Sequence, residues 1–398
     1  MNTLALYDSV LKDDYQEVVR NQINFEAGPF YRRIEATAKD IEGGKRVVKA
    51  APYGLNGGSG MFAESGATPA AGGNNYVQFI STLKNAAAVI KLSDKLIKSA
   101  KSDRVAFVNA LDSEMDGAIK SGTFTVGSGL YLKADGIRAM CGVTTAATTV
   151  VLAATSTVQY LMEGMTIDIV VATTGVAITN GTGRRIESID RTNKTVTLTG
   201  TDVVTTDATH AIVEQKSWGN NITGVGEIFD TSAATLYGLT RTTYPWLNPH
   251  VGTTAFDISV GNIINKISDQ EDIFGAKIDL VVMHPYVFTA YHNYLEAAKS
   301  QVNTMKLEGG FETLAINAGN GSIPIIKDRF IPAQTMDLYD TSQFNMHQLE
   351  DWSWMDESGA ILQKVSGYAG YEATLVKYPE LICNHPGAQA RIGNVTLS

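Results

Sequence analysis

Residues 43–84 contain a segment that cannot close a core around itself. A strand-like run at 46–50 leads into PYGLNGGSGMFAESGATPAAGGNN, residues 52–75, and a second strand-like run returns at 76–83. Glycine, proline and small side chains dominate that tip, leaving too little apolar surface to offset the entropy of ordering it. A loop beyond roughly 15 residues is uncommon in a compact domain unless it is functional or disordered. Bracketed by strands, this one reads as a long two-stranded arm whose partner must come from outside. Composition points the same way. Charged residues make up 18% of the 398 positions, against roughly 25% in typical soluble domains, so much outer surface is expected to be hidden against something else.

Residues 143–215 form a second unusual stretch. It holds 19 Thr, no Pro, and Tyr160 as its single Phe, Tyr or Trp. Met165, Ile167, Ile169 and Val171 alternate, as do Val196 and Leu198, and Asp190-Arg191-Thr192-Asn193 reads as a hairpin turn. The segment is expected to be an all-β module, folding as a unit, inserted into a chain of different character. With the 51–80 arm it accounts for the shortage of charge, and both are read as short of a core of their own.

The remainder alternates helix and strand. Residues 1–40 read as a partly extended helical arm, with Val10, Leu11, Tyr15, Val18 and Val19 at helical spacing and Gly28-Pro29 as the break. Within 91–120, Ser102-Asp103 is the expected N-cap of a long helix striped by Val105, Val108, Leu111, Met115 and Ile119, and ended by Gly122. Asp257 is the expected cap of a second helix carrying Ile258, Ile263, Ile264 and Ile267 and ending by Gly275. A buried strand at 278–283 runs through His284 into Pro285, which opens a third helix with Val287, Phe288, Tyr291 and Leu295 inward. Strands are expected at 323–327, 336–339 and 361–365, then a closing pair at 371–376 and 381–384.

Chemistry is hard to find. GLNGGSG, GTGRR, GVGEIF and GNGS neither complete GxGxxG nor precede Lys-Ser/Thr, so they read as turn glycines. HExxH and GxSxG are absent, and the histidines at 210, 250, 284, 292, 347 and 385 are never paired at metal spacing. Cys141 and Cys383 permit one disulfide but no thiolate zinc site. Glu350, Asp351, Asp356 and Glu357 flank Trp352 and Trp354, a placement that glycoside hydrolysis uses, but the run reads first as a strand with acids facing solvent. No catalytic, cofactor-binding or metal residue is assigned, no cofactor is expected, and the protein is read as a non-enzyme. The net charge of −9 argues against binding nucleic acid through a basic surface. The N-terminus lacks a signal-peptide pattern, and no apolar run approaches the roughly 18 residues that span a bilayer. A soluble chain made in the cytoplasm is expected, without membrane contact.

The succession of these segments resembles the major capsid protein of tailed bacteriophages, the Hong Kong 97-like fold. FAESGATPA followed by a returning strand and KLSDKLIKSAKSD is similar to the family's extended loop leading into its spine helix. IDLVVMHPYVF resembles the strand–Pro–helix step of the axial domain, and IPIIKDRFIPA with MDLYDTS the paired strands after it. YEATLVKYPELICNHPGAQARI resembles the closing strands. The likeness covers nearly the whole chain in order, apart from the β module, which is similar to insertions in some members.

The resemblance implies an α+β fold with an N-terminal arm (1–42), an extended loop (43–84), and a peripheral domain with the spine helix (85–135). It further implies an axial domain (136–142 and 218–350), the β insertion (143–217), and strands returning to the peripheral domain (351–398). It implies hexamers and pentamers closing into an icosahedral shell around phage DNA, held without sequence-specific binding, in a virion assembled in the host cytoplasm. Implied partners are further copies of the chain, a portal protein and, because the arm begins at Met1, a separate scaffolding protein or none; a decoration protein is a further candidate. The arm tip carries no Lys, so a Lys–Asn crosslink is not expected. The rival readings are a cellular nanocompartment shell, a trimeric tail or adhesion protein, and a hydrolase using the acids at 350–357.

Overall fold

The computed structural model describes residues 29–35, 39–41, 46–94, 104–298, 304–306, 312–318, 321–356, 361–365 and 367–397. The helical pattern read at 10–19 and the Ser102-Asp103 cap lie outside the described residues, as do the side chains of Val105, Val108 and Leu111. The architecture is α+β, built from a long helix on a small sheet, a seven-stranded sheet with two helices, and a β barrel.

The long helix, Arg104–Gly129, lies along the strand Ala86–Ser93. That strand pairs antiparallel with Gly370–Lys377 over eight positions, from Ser93 opposite Gly370 to Ala86 opposite Lys377. Met115 and Ile119 on the helix share a core with Ile90, Leu92, Ala373, Leu375, Trp352 and Trp354. Gly122 does not end the helix as its residue type suggested. It lies under Trp352, where a Cβ would stand 2.9 Å from the indole ring. The glycine is therefore a seat for a tryptophan, and the helix runs on through it.

The seven-stranded sheet has the order His250–Gly252, Ala390–Ile392, Met336–Tyr339, Leu280–Met283, Ser322–Lys327, Glu312–Asn317, Thr304–Lys306. Leu280–Met283 is buried at every position, as a strand covered on both faces must be. One face is covered by the helices Val260–Phe274 and Pro285–Ala297, through Ile263, Ile267, Val287, Tyr291 and Leu295. Pro285 opens the second helix as expected. The first is capped not by Asp257 but by Ser259, whose hydroxyl accepts from the Asn262 N–H, while Asp257 accepts from Thr396. Gly275 closes it in the left-handed region, at φ 63°.

The closing segment differs from the expected strand pair. Gly370–Lys377 and Pro379–Cys383 do not pair with each other; the second pairs with Phe344–Gln348, and Ala390–Ile392 enters the seven-stranded sheet. Residues 351–398 thus serve both bodies. A charge pair on a buried carboxylate fixes the last strand: the partly buried Arg391 donates to both Asp337 carboxylate oxygens, at 2.8 and 2.7 Å, and its guanidinium lies 4.3 Å from the Phe229 ring centroid. The Tyr339 hydroxyl donates to the same carboxylate. Charge removed this far from water survives only with such complete pairing.

The Thr-rich stretch folds as a six-stranded antiparallel sheet in the order Ile137–Met140, His210–Glu214, Thr166–Val171, Arg184–Asp190, Thr195–Leu198, Thr149–Val151. The sheet curls until its first and last strands meet. Cys141 bridges Leu152, the Gly142 N–H donates to Val151 O, and the Ala153 N–H donates to Met140 O. Closure of this kind removes the exposed edges of a sheet. The interior is apolar, with Ile167, Ile169, Ile186, Val196, Leu198 and Ile212 all buried, so the module has the core that its composition seemed to deny it. Its boundary also moves: Ile137–Met140, read with the axial segment, is a barrel strand. Entry and exit adjoin, since a Cβ on Gly136 would stand 2.9 Å from the Ser217 carbonyl oxygen.

Candidate functional site: an arm with a rooted base and a bare tip

The arm is a hairpin in which Val47–Pro52 pairs antiparallel with Tyr76–Ser81, in a register from Val47 opposite Ser81 to Pro52 opposite Tyr76. Alternation decides which side is buried. Val77 and Phe79 point inward, joined by Ala51, onto a platform of Leu236, Tyr237, Leu247 and Ile382. Phe79 is fully buried, with ring centroids 5.4 Å from Tyr237 and 6.0 Å from Trp246. Tyr53 stacks on Trp246 and meets Tyr244 edge-on. The Ile80 N–H donates to Tyr237 O, and the Lys84 N–H to Pro379 O. The base of the arm is therefore packed by its own chain, which narrows the expectation of an outside partner to the tip.

Arg241 holds the platform. Its buried guanidinium donates to the carbonyls of Leu247, Glu227 and Ile228 at 3.1, 2.8 and 3.0 Å. Glu380 sits beneath the root. Its Oε1 accepts from the Ser81 hydroxyl at 3.0 Å and from the Thr223 N–H at 3.2 Å, while Oε2 is buried with no partner among the described residues. Burial pushes its carboxyl up to about 7, opposed by those hydrogen bonds and by Lys84.

Beyond Tyr53 the arm loses contact with the body. Leu55 is 92% exposed, and Met61 and Phe62 are also exposed. Glu64 is the sole charged residue from 52 to 75. A neck gives the tip its local shape. The Asn56 side-chain oxygen accepts from the Gly58 N–H at 3.0 Å. Gly72 packs against this turn so closely that a Cβ there would stand 2.4 Å from both Asn56 Oδ1 and Gly58 N. Bare apolar side chains on a nearly uncharged hairpin make a surface suited to burial against another protein.

The groups weighed for chemistry go elsewhere. Asp351 accepts from the buried Lys377 ammonium at 2.9 Å, and the buried Trp352 and Trp354 face the core. Glu350 and Asp356 are exposed, and Glu357 lies outside the described residues. His284 caps the helix Pro285–Ala297 through its ring nitrogen, and burial pushes its pKa down. Cys141 and Cys383 are buried free thiols, so the disulfide their number permitted does not form. Gly224 and Gly226 of GVGEIF are not turn glycines but close-approach positions, where a Cβ would meet the carbonyls of Leu132 and Tyr131 at 2.4 and 2.6 Å. Among the described residues no group of three or more His, Cys, Asp or Glu is placed to hold a metal ion, and no helix is long and apolar enough to cross a membrane. The platform residues Trp246, Tyr244 and Arg241 were missed in the sequence; the run TRTTYPW, with two aromatics around a proline, was the available signal.

No family model matches the chain, and no curated protein matches it. Solved structures do. The Cyanophage A-1(L) capsid asymmetric unit aligns over 92% of this chain and 93% of its own, at 10% identity and a TM-score of 0.55. The chain has the Hong Kong 97-like capsid fold. Two further structures align with the capsid fold of this chain at lower scores. They are the SrpI encapsulin from Synechococcus elongatus (8% identity, 94% and 90% covered, TM-score 0.45) and the procapsid of satellite phage P4 (9%, 96% and 91%, 0.43).

Proposed function

We propose that the chain is the major capsid protein of a tailed phage, assembling as hexamers and pentamers into an icosahedral shell that encloses genomic DNA. The observation that carries this reading is the alignment of almost the entire chain, end to end, with a cyanophage capsid subunit. The arm supplies an independent physical reason: its root is packed in cis, and its tip presents Leu55, Met61 and Phe62 with nothing among the described residues to cover them.

In this reading 1–42 is the N-terminal arm and 43–84 the extended loop that lies on a neighbouring subunit. The long helix with its small sheet forms the peripheral body and edges of the subunit. The seven-stranded sheet and its helices form the axial body, facing copies around the local symmetry axis. The barrel is the inserted domain and stands outside the minimal fold. A portal protein and a scaffolding protein are the expected assembly partners, with a decoration protein as a further candidate. The acidic balance of −9 suits a wall that encloses DNA without gripping it.

The test is assembly. Protein expressed alone or together with a scaffolding protein is expected to form closed shells, hexamers or pentamers by electron microscopy. A chain that stays monomeric with scaffold present would sink the reading.

A further inference from the structure

The chain holds two Asn-Gly pairs whose residues are all described, Asn56-Gly57 at the arm tip and Asn180-Gly181 in the barrel. They differ in why the glycine is there. At Gly181 a Cβ would stand 2.6 Å from an Ile178 side-chain carbon and 2.9 Å from the Ile169 carbonyl oxygen, so packing demands glycine. At Gly57 a Cβ would meet nothing within 4 Å, and its φ lies outside the left-handed region, so neither space nor backbone conformation demands it. The surroundings differ too. The Gly181 N–H donates to Ile178 O, its carbonyl accepts from the Ile169 N–H, and the Asn180 side-chain amide donates to Val203 O. The Gly57 N–H has no hydrogen-bond partner among the described residues, and Asn56 and Gly57 are exposed.

We infer that Asn56 is a site of spontaneous covalent modification, converted through a cyclic imide to aspartate and isoaspartate. The Gly57 amide nitrogen, once deprotonated, attacks Asn56 Cγ. The new N–Cγ bond closes a five-membered ring, the Cγ–Nδ2 bond breaks, and ammonia leaves with the proton. Water then opens the ring at either carbonyl, so that amide and water become acid and ammonia. Three features favour the attack. Gly57 carries no side chain to obstruct it. Its nitrogen is free of any hydrogen bond that must first break. The Gly58 N–H already donates to Asn56 Oδ1, the oxygen on which negative charge develops when the ring closes, and so stabilises that charge.

The consequence falls on the neck. Aspartate adds a charge to a tip that has only Glu64, and isoaspartate lengthens the backbone by one atom where Gly72 and Gly58 approach within contact. An arm tip aged in this way no longer has the shape or charge of a fresh one, so the site distinguishes subunits buried promptly from those left free. This last step rests on the proposed burial of the tip in a shell; the chemistry at Asn56 does not.

The experiment incubates the full-length unassembled protein at mildly alkaline pH and follows each tryptic peptide by mass spectrometry. A gain of one mass unit and a split isoaspartate peak are expected at Asn56, roughly tenfold faster than at Asn180, whose hydrogen bonds must break first. Gly57→Ala, which the open space tolerates, is expected to slow the Asn56 reaction by at least a similar factor while leaving thermal unfolding unchanged. Equal rates at Asn56 and Asn180, or a Gly57→Ala rate equal to that of the parent, would overturn the assignment. Assembled shells supply a separate arm: slowing at Asn56 there supports burial of the tip. An unchanged rate in shells would leave the modification standing and count against the burial.

Discussion

The arm tip and the barrel begin from similar compositions and reach opposite ends. Both are rich in small or hydroxyl side chains and poor in charge. In the barrel, apolar residues recur at every second position in Thr166–Val171 and Thr195–Leu198, so curling the sheet brings Ile167, Ile169, Val196 and Leu198 into one interior with Ile186 and Ile212. Hydrogen bonding then closes through Cys141 and Leu152, leaving no free edge. In the tip, glycines stand between Leu55 and the adjacent pair Met61-Phe62, no strand carries them, and all three stay exposed. A period of two in the apolar residues, more than their number, is what separates a segment that makes its own core from one that leaves its apolar residues bare.

The largest effect that tests this contrast is on assembly. Deleting residues 52–73 is expected to leave a folded subunit, because Phe79 and the platform remain although the Tyr53 stack on Trp246 is lost, and to abolish stable shells. Normal shells by electron microscopy would remove the arm's assigned role. The barrel should respond in the opposite way. Ile169→Ala, at a fully buried position, is expected to cost about 2–5 kcal/mol, with amide exchange rising throughout the barrel while Leu280–Met283 stays protected. If both regions lose protection together, the barrel is not an independent unit.

Much of this was legible in the residues because it depends on local pattern. Pro285 at the first helical turn, the alternation along 165–171 and the glycine-dense tip each have one dominant local consequence. What escaped was decided by distant contacts. Gly122 reads as a helix stop, and only the arrival of Trp352, far along the chain, turns it into a seat. Closure of the barrel depends on residues 141 and 152 meeting after the whole sheet has curled, so the core was invisible to a strand-by-strand reading. The rooting of the arm needs Tyr237, Trp246 and Ile382, none of them near residues 47–81 in sequence. The bareness of the tip, by contrast, was legible, because no distant described residue intervenes there.

The root of the arm and the barrel surface should also differ in the sign of their pH response. Glu380 has its carboxyl raised by burial to about 7, above its unfolded value, so its contribution is fully present below the unfolded pKa and is lost as pH rises through about 7. The loss approaches roughly 3 kcal/mol at most. Asp190 and Asp207 on the barrel are held below the ordinary range by hydrogen bonds, from Asn193 and from Thr209, so what they contribute is lost as pH falls through their depressed values. Glu380→Gln is therefore expected to remove the fall in stability that accompanies a rise in pH from the ordinary carboxylate range to about 7, and to leave the limb set by Asp190 and Asp207 at lower pH as it was. A parallel shift of the whole curve would mean that the carboxylate finds compensation that its unpartnered oxygen does not reveal.

The smallest expected effect bears on whether the tip has any structure of its own. Gly72→Ala drives a methyl group into Asn56 Oδ1 and the Gly58 backbone nitrogen, contacts that backbone cannot yield without opening the neck. Global unfolding should move by less than about 0.5 kcal/mol, since the tip buries nothing. Proteolysis between 53 and 75 should accelerate several-fold, because a protease needs the segment unfolded across its active site and the neck resists that. Gly57→Ala, with open space around its Cβ, is the matched control and should leave cleavage unchanged. If both variants are cut at the parental rate, the neck does not hold the free tip, and every constraint on the tip comes from what covers it.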